Sequence, residues 1–323
     1  MNVRKYWLPY QLITVEGQLQ CHWFNTYGEP FTEPFFEATI LKCRSKENRN
    51  FLHPSVSDYG MILEWAPEFE SINPSAIIFH ISRCGSTLIS QMLAVSDENI
   101  VLSEVPVFDD ILRLRFKEPD IDETEINKLF VAALKLYGQG DNLNEPAEKK
   151  SKRVFIKTDS WHLFFYPQFR QLFPFVPFIF MYRAPDEVFS SHRKQAGMHS
   201  VQGLIEPEIF GMKPSDIAEI MPDDYLAAVL ENYLSRSIEI VTDDKLSLLI
   251  NYNEGPMEII KKIAAFVNIK ISESDRQKMH ERSRYHSKKP DEPFNEFDVK
   301  TAPLCLTKAV ALYNELERKR QLQ

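Results

Sequence analysis

Ala76-Ile-Ile-Phe-His-Ile-Ser-Arg-Cys-Gly-Ser-Thr-Leu-Ile-Ser-Gln-Met-Leu-Ala94 is the stretch whose reading decides the fold. Its apolar opening, Ala76 to Phe79, has the length and composition of a strand buried on both faces. Apolar residues resume at Leu88, Ile89, Met92 and Leu93 with helical spacing. Between them the turn Ser82-Arg83-Cys84-Gly85-Ser86-Thr87 sets a glycine where the backbone must bend sharply, then opens a helix on two hydroxyl residues. Free N–H groups at such a helix start, at the positive end of the helix dipole, are suited to hold a phosphate.

Against the nucleotide-triphosphate pattern G-x-x-x-x-G-K-[ST], the window His80 to Thr87 keeps the second glycine and the final threonine. His80 stands at the first glycine and Ser86 at the lysine, so the cation that normally reaches the outer phosphates is missing from its place. Arg83 supplies one three residues earlier.

Downstream, strands and helices alternate as in a parallel sheet. Asn99 to Ser103 reads as a short strand ending on Glu104, where open α/β sheets place their ligands. Glu104 is a candidate base, or equally a cap for a helix over Asp109 to Arg115. Glu123 to Tyr137 reads as an amphipathic helix and Gly138 to Lys152 as a polar loop. The strand Arg153 to Ile156 ends in Lys157-Thr158-Asp159-Ser160-Trp161-His162, so Lys157 faces the same crevice and can neutralise charge on a transferring group. The plain alternative is a surface lysine. A helix over Leu163 to Leu172 and a strand over Pro177 to Tyr182 follow, and this strand too ends in a cation, Arg183. Pro185 and the acids behind it mark a helix start, with Ser191 eight residues after the arginine, two turns into the helix. Leu246 to Ile250 is a last core strand, Pro256 to Val267 its helix, and Leu304 to Arg320 a closing amphipathic helix. The broken, polar, helical stretch from His192 to Val241 reads as a lid over an acceptor or as an outer helical layer.

The first 75 residues differ in texture. Tyr10 to Val15 and Gln18 to Trp23 alternate like two strands joined at Glu16-Gly17, a hairpin signal, and Asp58 to Trp65 reads as a further strand. The aromatic run Phe31 to Ile40 is expected to pack against a neighbouring domain rather than to cap a pocket. The predicted organisation is a β-rich extension over 1–75 and an α/β domain with a central parallel sheet over 76–323.

With 323 residues, 44% of them hydrophobic, the chain can bury a substantial core. A net charge of −8 argues against a nucleic-acid partner held by phosphate neutralisation, so any anion site is local. Cys21, Cys43, Cys84 and Cys305 form no C-x-x-C pair, which points to neither a zinc site nor a disulfide scaffold. No apolar leader and no membrane-length run is seen, and the expectation is a soluble, cytoplasmic protein with no membrane partner.

The turn Ser82 to Thr87 matches four of the six positions of the loop P-[KR]-S-G-[ST]-T, and in this it resembles sulfotransferases that use 3′-phosphoadenosine 5′-phosphosulfate (PAPS). Ser82 for proline and Cys84 for serine are its departures. Those enzymes also hold the 3′-phosphate with a strand-end arginine and a serine eight residues later, a spacing that Arg183 and Ser191 reproduce, with Ala184 in place of the usual acid. Within the superfamily, Arg83, Glu104 and Lys157 are similar in position to residues of the tyrosylprotein-type enzymes. The resemblance implies a three-layer P-loop-type fold, PAPS as cosubstrate without a metal, and a small-molecule acceptor, leaving a homo-oligomer open. Arg83, Cys84, Gly85, Ser86 and Thr87 would hold the 5′-phosphosulfate, Arg183 and Ser191 the 3′-phosphate. Arg284 and Lys288, in the basic run Arg282 to Pro290, would close over it, although the family's glycine pattern is missing there. Lys157 and Arg83 would balance charge on the leaving oxygen. Where the small-molecule enzymes carry a histidine after K-T this chain has Asp159, so the base is Glu104 first, Asp159 second and His162 third. A P-loop kinase, which would require magnesium and a lysine at position 86, and a non-catalytic nucleotide-binding protein are the alternatives.

Overall fold

The computed structural model describes residues 3–46, 55–70, 73–139, 153–285 and 303–323. Strands β1 (Trp7–Val15) and β2 (Gln18–Asn25) form the antiparallel hairpin expected at Glu16-Gly17. Both turn residues have positive φ, 52° and 76°, the conformation whose twist matches that of the flanking strands. After α1 (Phe36–Lys46), β3 (Ser55–Asp58) pairs with β2 to complete a three-stranded sheet. The strand read over 58–65 is corrected here. The Asp58 carboxylate accepts the Gly60 N–H at 2.7 Å, a turn that ends β3, and α2 (Met61–Trp65) follows as a short helix. The aromatic run packs as expected: Phe36 meets Tyr137 at a ring distance of 5.2 Å and Phe24 at 6.0 Å.

The main sheet starts at β4 (Ala76–His80), followed by α3 (Ser86–Ala94), β5 (Asn99–Ser103), α4 (Pro106–Lys117) and α5 (Glu123–Tyr137). Next come β6 (Arg153–Lys157), α6 (Tyr166–Leu172), β7 (Phe178–Tyr182) and α7 (Pro185–Lys194). The chain then runs through α8 (Pro214–Ile217), α9 (Pro222–Asp243), β8 (Ser247–Asn251), α10 (Pro256–Phe266), α11 (Glu273–Ser283) and α12 (Thr307–Arg320). The helix read from Leu163 begins earlier, as a 3-10 turn over Ser160–Phe165 that tightens the exit from β6.

The five strands are parallel, in the order β5-β6-β4-β7-β8. Alternate residues face opposite layers, as the two-residue period of a strand requires. Ile77, Phe79, Val154, Ile156, Phe178 and Phe180 join one core with α4, α5, α6 and α9, which is continuous with the core of the N-terminal sheet. Ala76, Ile78, Phe155, Ile179 and Met181 join a second with α3, α10 and α11. Helices therefore cover both faces, giving three layers. Phe79, fully buried, lies 5.2 to 5.4 Å from the rings of Phe169, Phe178 and Phe180. Deleting such a side chain costs about 3–5 kcal/mol.

Because β5 and β6 are laid down on one side of β4, and β7 and β8 on the other, the loops leaving β4 and β7 diverge. That crevice, beyond the carboxyl ends of the strands, is where open α/β sheets bind ligands. The segment between α7 and α9 is tied to the helices beside it. Arg113 of α4 donates to the Glu206 carboxylate and the Leu204 carbonyl, and the Phe164 ring lies 5.5 Å from Phe210. Within the stretch read from His192 to Val241, α9 packs on α12 and β8.

Candidate functional site

The turn between β4 and α3 is held in its bend by two left-handed residues, Arg83 (φ 65°) and Gly85 (φ 80°). Gly85 has a second reason to lack a side chain. A Cβ there would overlap Cδ2 and Cε2 of Tyr252 and stand 3.0 Å from its Cζ. Ser86 and Thr87, both buried, open α3, whose first N–H groups have no partner within the helix. Cys84 turns under the loop. Its thiol is fully buried, donates to the Met181 carbonyl at 3.5 Å, and is pushed up to about 11 by burial. The same sulfur meets the backbone and hydroxyl of Ser86, so it braces the bend from below. The Arg83 Nη2 donates to the Gln195 carbonyl at 2.7 Å, while its buried Nε has no partner among the described residues. A buried donor left open beside a helix start is a feature an anion would satisfy.

Along the strand ends next to this loop lie Glu104 and Lys157. The Lys157 side chain is completely buried and its ammonium pairs with Glu104, whose side chain is 23% exposed. His80, at the end of β4, donates from Nε2 to the Thr158 carbonyl at 2.9 Å and lies 3.5 Å from the same Glu104 oxygen. Burial alone would raise the Glu104 carboxyl, but the Lys157 charge and the His80 contact outweigh it and hold it far below the usual carboxylate range. Burial, with the Lys157 charge second, lowers the His80 ring and keeps it neutral. Glu104 does not cap the next helix: Val105 is the N-cap residue and Pro106 the first helical one. It adopts a left-handed backbone (φ 53°), uncommon for a side chain of its size and of the kind found at functional sites.

Arg183 closes the crevice from the other side. Its guanidinium lies 5.0 Å from the Tyr252 ring centroid, a cation–π contact, and the same ring covers Gly85. The Arg183 Nε and Nη2 donate to the two Glu187 oxygens at 3.0 and 3.1 Å. Ser191 lies four residues beyond Glu187 on α7, on the same helix face. Gly85 and Arg183 thus meet at one aromatic ring.

Asp159 and His162 lie deeper. The His162 Nδ1 accepts the Asp159 N–H at 3.3 Å and its Nε2 donates to Asp109 at 3.0 Å, so both ring nitrogens are engaged. Asp109 also takes Trp161 Nε1 at 2.6 Å and Arg113 Nη1 at 2.9 Å. Ligand atoms of Asp109, Asp159 and His162 lie within 4.8 Å of one another, a spacing a metal could use, but these hydrogen bonds already commit His162 and Asp109 to fixing the turn after β6. Burial, followed by the charges of Glu104 and Asp109, pushes the Asp159 carboxyl well above its ordinary range, which favours the protonated form. Arg284 is exposed just past α11, and no described contact brings it to the crevice. Lys288 lies outside the described residues.

No family model and no curated protein matches the chain. Solved structures do. A sulfotransferase from Alicyclobacillus acidocaldarius is similar over 78% of this chain and 95% of its own, at 14% identity and a TM-score of 0.43. Sulfotransferase STF9 from Mycobacterium avium is similar over 82% and 79%, at 12% identity and a TM-score of 0.48. Mouse sulfotransferase SULT7A1, solved with PAP, covers 80% and 88% at 15% identity, with a TM-score of 0.39. These neighbours are sulfotransferases. At such identities, functional argument rests on the residues of this chain's own crevice.

Three residues of the crevice carry no assignment from sequence reasoning. Tyr252 stands right after β8, and its role depends on the register of that strand across the sheet, which no local pattern reveals. His80 stands at a pattern position reserved for glycine, and that departure was its only signal. Glu187 was detectable as an acid in the first turn of the helix that follows Arg183.

Proposed function

We propose that this chain is a PAPS-dependent sulfotransferase that moves a sulfuryl group to a hydroxyl or amine of a small molecule and releases adenosine 3′,5′-bisphosphate. The observation that carries the reading is the Tyr252 ring, which covers Gly85 and carries Arg183. It joins a phosphate-holding loop and a distant cation at one crevice, as a nucleotide with phosphates on both sides of its ribose requires. Backbone N–H groups from Arg83 to Thr87 and the open Arg83 Nε hold the 5′ end. Arg183 and Ser191 hold the 3′-phosphate.

In the reaction the acceptor oxygen forms a bond to sulfur as the bond from sulfur to the bridging phosphate oxygen breaks, and the electron pair leaves with the bisphosphate. Lys157 and Arg83 balance the charge growing on that oxygen, so the reading calls for no metal. Glu104 takes the acceptor proton. While its carboxylate is paired with Lys157 it is a weak base. Once Lys157 turns to the departing oxygen, Glu104 loses the charge that suppresses its basicity, so proton removal is coupled to the presence of the donor. Asp159, favoured in its protonated form, and His162, engaged at both nitrogens, are poorer acceptors of that proton.

The test is the melting temperature with adenosine 3′,5′-bisphosphate in EDTA, set against Mg-ATP. The bisphosphate should raise it by mass action, Mg-ATP should not, and Arg183→Ala should abolish most of the shift. Stabilisation by Mg-ATP alone would favour a kinase and end the proposal.

A further inference from the structure

Two of the crevice's cations are already occupied by a carboxylate from the chain itself. Lys157 holds Glu104, and Arg183 holds Glu187. The first pair has a part in the chemistry proposed above; the second has none. We infer that Glu187 is a resident anion standing where a nucleotide's 3′-phosphate binds, and that its displacement sets how tightly and how selectively that phosphate is held. The inference rests on the nucleotide reading given above.

Arg183 stands just before α7 and reaches the Glu187 carboxylate in its first turn, which marks one face of the helix; Ser191 follows Glu187 by four residues on that face. Glu187 and Ser191 are separated by about 6 Å along the helix axis. A phosphate that touches both Arg183 and Ser191 therefore lies over the Glu187 carboxylate. A phosphate there competes with Glu187, because the two anions repel and the carboxylate already takes Nε and Nη2 at 3.0 and 3.1 Å. One face of the guanidinium is turned to Tyr252, so Arg183 cannot easily move aside to offer other donors. Glu187 can move. Its side chain is 23% exposed, more open than the 15% of Arg183, and a rotamer change carries the carboxylate into water.

The carboxylate has two consequences. It holds Arg183 at the crevice, and it makes a ligand that carries a 3′-phosphate break a bidentate pair on entry. A ligand with a doubly charged 3′-phosphate bears that loss in its affinity; one with a bare 3′-hydroxyl leaves the pair intact, so Glu187 narrows the preference for the 3′-phosphate. Neutralising Glu187 removes the competitor but leaves an amide oxygen that can still accept from Arg183.

Glu187→Gln should tighten adenosine 3′,5′-bisphosphate about 5- to 10-fold, the range of one partly exposed charge pair plus one removed repulsion. Adenosine 5′-phosphate, which never reaches this position, should change less than about two-fold. Titration calorimetry on both ligands with wild type, Glu187→Gln, Arg183→Ala and the double variant is the experiment. In the Arg183→Ala background the Glu187→Gln gain should vanish; a purely structural or bulk-charge effect would persist there. If wild type binds the bisphosphate and Glu187→Gln binds it equally or more weakly, or gains equally without Arg183, the inference fails while the nucleotide reading stands. If wild type and Glu187→Gln both fail to bind it, the nucleotide reading fails and takes the inference with it.

Discussion

Replacing Gly85 by alanine tests whether the loop after β4 is built against Tyr252, and the cost can be worked from two separate causes. At φ 80° an alanine pays about 1 kcal/mol that glycine does not. The added Cβ also overlaps two ring atoms of Tyr252, a residue 8% exposed, and forcing such overlap in a packed site costs about 1–3 kcal/mol. Gly85→Ala should therefore destabilise the protein by about 3 kcal/mol. Tyr252→Ala removes the overlap but not the backbone strain, so in that background the same substitution should cost only about 1 kcal/mol. The difference, about 2 kcal/mol, is the coupling between the two positions. Urea denaturation of wild type, both single variants and the double variant measures it from the midpoints and slopes. Additive costs within about 0.5 kcal/mol would refute the contact and with it the route by which the loop and Arg183 share one ring.

Two further outcomes follow from buried charge. Lys157→Met leaves the Glu104 carboxylate without its cation and should destabilise by about 3 kcal/mol, whereas the pair Lys157→Met with Glu104→Gln should recover most of the loss in thermal melts; no recovery would mean that the ion pair is not what holds Lys157. Burial, aided by the neighbouring Asp109 charge, pushes Asp110 up to about 6 despite the Leu12 N–H it accepts at 2.9 Å. A carboxyl raised in the folded state is stabilising below its unfolded value near 4, and that contribution is lost as pH rises toward 6. Asp110→Asn should accordingly stabilise the protein by about 2 kcal/mol near neutral pH and by almost nothing at pH 3.5, and an equal gain at both would contradict the burial.

How much the sequence disclosed depended on how local each cause was. The strand, turn and helix at 76–94 were readable because burial on both faces, a left-handed glycine and a helix start each leave a mark on neighbouring residues. The same holds for β5, β6 and β7, whose charged ends announced Glu104, Lys157 and Arg183. Where the decision lay with a partner far along the chain, pattern was silent. Nothing near Glu104 says that Lys157, 53 residues away, locks it, and nothing near Gly85 says that Tyr252 lies on it. The strand read over 58–65 failed for a related reason: apolar residues at Met61, Ile62 and Leu63 fit a short helix as well as a strand, and one Asp58 hydrogen bond to Gly60 decides between them. Cys84 was counted with the loop by position, and nothing near it says that its thiol also reaches the Met181 carbonyl at the end of β7.

The most direct measurement of the central claim is turnover. With PAPS, EDTA and a panel of hydroxyl and amine acceptors, the protein should release adenosine 3′,5′-bisphosphate in step with a sulfated product, and Lys157→Met should stop it. Release of ADP from ATP only when magnesium is added, with PAPS left intact in the presence of every acceptor, would contradict it.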